Sequence, residues 1–209
     1  MQKSKIYHNV FTESEIEQIL NYFAKRPIAS VNATTGNLDK NVDYHIPYSI
    51  AHRLIKPKIQ NLFGDHSFQN GSYKECVSPY PTHIDNYAWW ADKAYTFDVE
   101  IRHQCFILIP LVFGKEFRTV LFDILSPYRL EIGEAVPTHW LSKYENNLNL
   151  DDFGHCKEEV KQQIKYLPVN QDITWQLGDI FYWHRNQLHC STNFAQYGVT
   201  KKFVILGIA

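Results

Sequence analysis

Three side chains in this sequence could hold one metal ion between them: His83 and Asp85 in the run PTHIDNY, and His189 in GDIFYWHRNQLHCSTNF. Two imidazoles and one carboxylate on one face of a metal, with the other positions open, are the ligand set of non-heme Fe(II) centres that activate oxygen. His83 and Asp85 are two residues apart, so on a strand both point to one side while Ile84 points to the other. The third donor must come from elsewhere, and His189 follows a predicted strand that begins at the turn Gly178-Asp179. His184 follows the same strand and competes with it on position alone. A His-x-Asp tripeptide is a weak signal in a chain with 10 His residues, so the order of the parts carries the reading. His-x-Asp opens a β-rich region, and a Gly-Asp strand and a His come near the end. A basic residue, Lys201 or Lys202, then lies on the last predicted strand.

The elements that must position these residues are legible in outline. Thr12 and Glu15 form a capping box, and Ile16, Ile19, Leu20 and Phe23 recur at helical spacing, which predicts a helix over 13–25. A second helix is expected to start near Pro47 and run through Ile50, Leu54 and Ile55, with Pro57 kinking or ending it. From Tyr73 onward, short apolar or alternating runs are bounded by Pro, Gly, Asn and Asp, the texture of a β-sandwich or barrel. The predicted strands are 73–77, 83–87, 105–111, 119–122, 173–176, 180–183 and 202–206. One domain is expected over 1–209, with a helical N-terminal part (1–70) and a β core (71–209) interrupted by an insert at 124–172. The insert holds one predicted helix, 157–166.

Composition narrows the function classes. A chain of 209 residues with 44% hydrophobic and 15% aromatic content can bury one substantial core. A net charge of -1 and no long run of Lys or Arg disfavour nucleic acid as a partner. The N-terminus lacks a signal-peptide core, and no stretch approaches the roughly 18 apolar residues of a membrane span, so a cytoplasmic protein with no membrane partner is expected. Cys76, Cys105, Cys156 and Cys190 are scattered and read as reduced thiols, most of them buried. Cys156 stands beside His155, but no second pair at a zinc-finger spacing accompanies it. Cys190 reads as a soft ligand, a redox-active thiol or core filler.

The ordered parts resemble the Fe(II)- and 2-oxoglutarate-dependent dioxygenases, a superfamily built on a double-stranded β-helix, the cupin-type jelly roll. IYHNVFTESEIEQILNYF is similar to the entry helix of prolyl-hydroxylase-like members, THID to their His-x-Asp strand, and HQCFILIPL and RTVLFD to the next two strands. GDIFYWHRNQLH is similar to the strand leading to the distal His, and TKKFVILG to the last strand. The resemblance implies a mainly β fold with N-terminal helices packed on it, and His83, Asp85 and His189 as iron ligands. It favours His189 over His184, because the family's distal His lies ten residues past the Gly-Asp aspartate, as His189 does past Asp179. It implies Fe(II), 2-oxoglutarate as cosubstrate, O2, and hydroxylation of a C–H bond with release of succinate and CO2. A last-strand Lys would hold the distal carboxylate of 2-oxoglutarate where the family more often has Arg. Lys202 is preferred to Lys201, although strand periodicity does not separate them. Tyr73, ten residues before His83, would donate to the same carboxylate.

Asn86, Tyr87, Trp89 and Trp90 directly follow the ligand strand and are expected to contact substrate, with Trp89-Trp90 read equally well as a hydrophobic anchor. The insert could close over the opening as a lid. The substrate, a small molecule or a peptide, is not readable, nor is the oligomeric state. Two other readings stand beside the oxygenase: a non-catalytic cupin-like binding module, and a metal-dependent cupin enzyme that does not use 2-oxoglutarate.

Overall fold

The computed structural model describes residues 4–25, 42–46, 48–64, 68–85, 105–127, 130 and 132–208. Among the described residues nine strands form two antiparallel sheets. The larger has the order β1 (Lys5–Tyr7), β7 (Ile180–His184), β4 (Cys105–Pro110), β9 (Lys201–Ile208), β3 (Phe68–Cys76), β2 (Val42–His45), and the smaller the order β6 (Val169–Trp175), β5 (Gly114–Leu125), β8 (Gln187–Ser191). This is the mainly β jelly roll with flanking helices expected from the sequence.

Period-two alternation gives the larger sheet two apolar faces. Ile107, Ile109, Tyr182, Val204 and Leu206 pack against the helices, while Leu108, Phe181, Trp183 and Phe203 pack between the sheets. Helix α1 (Glu13–Ala24) starts at the expected capping box: Thr12 Oγ1 accepts from the Glu15 N–H at 3.3 Å, and Glu15 Oε2 accepts from the Thr12 N–H at 2.8 Å. Its buried stripe is Ile16, Ile19 and Phe23. The second helical segment does not stop at Pro57. It runs from α2 (Tyr48–Ile50) through a π-helical turn (Ala51–Ile55) into α3 (Lys56–Phe63), with Pro57 in the first turn of α3 and the π-helical turn directly before it.

The insert forms a fourth layer. Phe153, Val160 and Ile164, the last two on α4 (Glu158–Ile164), pack on Val120, Phe122 and Leu188 across the outer face of the smaller sheet. Arg118 on β5 ties this layer down, its Nη1 donating to Asp152 Oδ2 at 2.6 Å and its Nε to Asp172 Oδ1 at 3.0 Å. The described part of the insert thus backs the smaller sheet and is not the expected lid. The four cysteines are free and buried, and no helix among the described residues is long and apolar enough to cross a membrane.

Candidate metal centre

His83 reaches the site through an isolated antiparallel bridge to β8. Its N–H donates to the His189 carbonyl at 2.9 Å, and the His189 N–H donates back at 2.9 Å. Directly paired residues put their side chains on one face, which brings the two imidazole centroids to 4.2 Å. The Asp85 N–H donates to the Arg185 carbonyl at 2.9 Å, so the segment stays alongside β8 and Asp85 returns to the face that carries His83.

Hydrogen bonds decide which ring nitrogens are free. His83 Nδ1 lies 2.6 Å from the Pro81 carbonyl, and His189 Nδ1 lies 2.8 Å from the Gln187 carbonyl. A carbonyl only accepts, so each Nδ1 carries the proton and each Nε2 keeps its lone pair. Those lone pairs face Asp85: His83 Nε2 is 3.9 Å from Oδ1, and His189 Nε2 is 3.5 Å from Oδ2. One donor atom from each residue lies within 4.8 Å of the others. Donors about 2.1 Å from one ion sit roughly 3 to 4 Å apart, so the cluster is close to the size of a single metal site.

Burial tunes the cluster for a cation. It pulls His83 down to about 3, helped by the neighbouring His189, and pulls His189 down to about 4, so both imidazoles are neutral ligands at pH 7. Burial also raises the Asp85 carboxyl, against the opposing pull of His83 and a hydrogen bond from Trp183. A bound cation would favour the ionised form of Asp85 that burial penalises. Among the described residues this is the one group of three or more His, Cys, Asp or Glu that could hold a metal, and His155 with Cys156 has no part in it.

Two of the other expected site residues face away. The β3–β9 register pairs Tyr73 with Val204 and Glu75 with Lys202, which puts Tyr73 and Lys202 on the helical side of the sheet. Tyr73 stacks on Phe23 at 4.1 Å, and its hydroxyl donates to Glu75 Oε1 at 2.5 Å. Lys202 Nζ lies 3.4 Å from the same Oε1. The preference for Lys202 as the inward cation is therefore corrected: Lys201 takes the inner face, beside Phe203. It is 3% exposed, its Nζ donates to Ser191 Oγ at 2.9 Å, and the same Nζ stands 4.0 Å from the centre of the Trp175 ring. No carboxylate among the described residues pairs with it. Burial pulls this ammonium down to about 7.

His184, the competitor of His189, sits at the end of β7 with its Nδ1 accepting from the Asn186 N–H at 3.2 Å, outside the cluster. Cys190 points to the opposite face of β8 from His189, into the apolar layer under the insert, and is core filler. Asn86, Tyr87, Trp89 and Trp90 lie outside the described residues.

Three residues near the site were not singled out in the sequence. Trp183 Nε1 donates to Asp85 Oδ2 at 2.7 Å, Ser191 holds Lys201, and Trp175 lies beneath the ammonium. The signal for Ser191 was its spacing of two from His189 on a strand; the others needed the sheet pairing. The Gly-Asp pair is a structural clasp. Gly178 has φ +83°, its carbonyl accepts from the Val10 and Phe11 N–H groups at 2.7 and 2.9 Å, and Asp179 accepts from the Asn9 N–H at 3.1 Å.

No family model matches the chain, and no curated protein matches it in sequence. Solved structures do match it in fold. A prolyl-4-hydroxylase from Pseudomonas putida aligns with a TM-score of 0.54 at 10% identity, covering 100% of this chain and 92% of its own. HygX from Streptomyces hygroscopicus, solved with nickel, 2-oxoglutarate and hygromycin B, aligns at 0.59 with 13% identity over 99% of this chain and 82% of its own. The epimerase SnoN, in complex with Fe3+, alpha ketoglutarate and nogalamycin RO, aligns at 0.58 with 14% identity over 98% and 78%. The chain thus has the fold of solved Fe(II)- and 2-oxoglutarate-dependent oxygenases, and a His-Asp-His cluster stands on the inner face of its smaller sheet.

Proposed function

We propose that the protein is an Fe(II)- and 2-oxoglutarate-dependent dioxygenase that hydroxylates a C–H bond of a small-molecule or peptide substrate. The observation that carries this reading is the pairing of a metal-sized His-Asp-His cluster with a buried Lys201 in the same interior that has no carboxylate partner among the described residues. Iron, 2-oxoglutarate and O2 bound there would supply the oxidation, one oxygen atom going to the substrate and the other to succinate as CO2 leaves.

The chain's own residues do the holding. His83 and His189 offer neutral Nε2 lone pairs fixed by their Nδ1 bonds, and Asp85 offers the carboxylate. The Lys201 ammonium would hold the distal carboxylate of the cosubstrate. Its aromatic surroundings of Trp175, Phe194 and Phe203 keep water out and strengthen that attraction. An anion arriving there removes the penalty that holds the ammonium down near 7. Asn86, Tyr87, Trp89 and Trp90 are proposed to line the substrate end. The prolyl-4-hydroxylase and the epimerase SnoN share this fold and are named for different activities, so fold does not choose the substrate.

The test is an anaerobic titration of Fe(II) and then 2-oxoglutarate into the full chain, reading the visible metal-to-ligand charge-transfer band. The band should form, fail in His83→Ala, and weaken in Lys201→Met much more than in Lys202→Met. Iron binding without the band would overturn the 2-oxoglutarate reading in favour of another metal-dependent cupin enzyme, and no iron binding would leave the binding module.

A further inference from the structure

We infer that Trp183 is a positioning residue that sets how Asp85 meets the metal. The inference rests on the metal reading above and adds a role for a residue that the ligand set does not include.

Trp183 is 1% exposed, and its indole Nε1–H donates to Asp85 Oδ2 at 2.7 Å, a short charge-assisted bond. The same ring lies 5.3 Å from the His189 ring, so one side chain braces two of the three ligands. Its strand is held on both sides, because β7 pairs with β4 through Phe106↔Trp183 and with β1 up to the neighbouring Lys5↔Tyr182. The donor therefore belongs to the frame and does not follow the carboxylate if it turns. A free aspartate can turn about its last side-chain bond and chelate a cation through both oxygens. With Oδ2 held by the indole, Oδ1 is the oxygen left to meet a metal, and Asp85 would take one coordination position. An ion held by His83, His189 and one Asp85 oxygen would keep more room for small ligands than one that also took the second oxygen.

The alternative is that the carboxylate merely satisfies a buried indole N–H. The two differ in what a Trp183→Phe variant does to a bound ion, since Phe keeps an aromatic ring, smaller than the indole, and removes the donor. Co(II) alone, titrated into the full chain, gives affinity and a visible absorption spectrum that reports coordination number. Trp183→Phe should bind Co(II) about 10- to 100-fold more weakly, with an altered spectrum, while its metal-free circular dichroism matches the wild type. Unchanged affinity and spectrum in a folded variant would overturn the inference.

If that variant does not fold, the indole resonances of the metal-free protein, which has five Trp, serve instead. Asp85→Ala should move one indole N–H signal upfield; no movement overturns the bond. The outcomes separate from those of the proposed function. Loss of Co(II) affinity in Trp183→Phe with no 2-oxoglutarate band in wild type would sink the cosubstrate and keep the positioning role. A wild-type band with an unaffected Trp183→Phe would do the reverse.

Discussion

Lys201 and Lys202 are neighbours on one strand, yet they stand in different media. Lys202 is about a third exposed and shares Glu75 with the Tyr73 hydroxyl on the helical face. Lys201 is buried between the sheets against Trp175, with one hydroxyl and, among the described residues, no acid. On the helical face the polar groups complete one another, which is what a packing layer requires. On the inner face the charge is left incomplete among the described residues: two imidazoles whose Nε2 lone pairs face Asp85, a carboxylate raised by burial, and an ammonium with a hydroxyl and no acid beside it. Buried groups that satisfy each other stabilise a fold, whereas buried titratable groups gathered around unused lone pairs are the pattern of a functional site.

Breaking the inner face should have the largest effect. His189→Ala removes a ligand and should abolish stoichiometric Fe(II) binding, measured by anaerobic titration, with circular dichroism retained. Lys201→Met should raise the 2-oxoglutarate Kd by about 100-fold or more, the scale of removing one partner of a buried charge pair. Lys202→Met should change it less than about fivefold, the scale of an exposed pair. The same Lys201→Met variant should raise the thermal midpoint of the metal-free protein, because it replaces a desolvated cation with an apolar chain in an aromatic site.

Acid sharpens the same contrast. The imidazoles of His83 and His189 titrate near 3 and 4 when folded against an ordinary value of 6.5, so the unfolded chain binds more protons between those limits. Metal-free stability should therefore fall as pH drops from about 6.5 to 4, by up to about 1.4 kcal/mol per pH unit for each imidazole. The raised carboxyl of Asp85 opposes part of this loss. Thermal melts across that range check the sign.

Changes outside the inner face should cost stability and spare the metal. Gly178→Ala meets both a φ of +83° and a Cβ position 2.3 Å from the Phe11 carbonyl oxygen, and should cost about 2 kcal/mol or more. Thr12→Ala removes the cap of α1 and should cost about 1 kcal/mol. Denaturant melts read both, and Fe(II) affinity in the surviving folded fraction should match wild type.

Elements specified by short-range rules were legible from the chain. The Thr12–Glu15 cap, the apolar stripe of α1, the runs that became β4 and β7, and the two-residue spacing of His83 and Asp85 all depend on neighbours within a few positions. β1 and β2 were not legible, being three and four residues long and secured by pairing with distant strands. β8 escaped too, although it carries His189, because its five residues read QLHCS and only β5 and the His83 bridge make them a strand.

The sequence by itself determined the parts and their parity: a His-x-Asp pair on one side of its segment, a distant His, and two lysines that must face opposite ways. Only the tertiary structure decided which side is inside. Period two relates a residue to its neighbours and says nothing of what lies above or below the sheet. That is settled when Tyr73 and Val204 meet the helices, leaving Lys201 to face the smaller sheet beside Trp175 and Ser191. Trp183 reaches Asp85 for the same reason, since a bond between residues 98 apart depends on strand pairing and on nothing local.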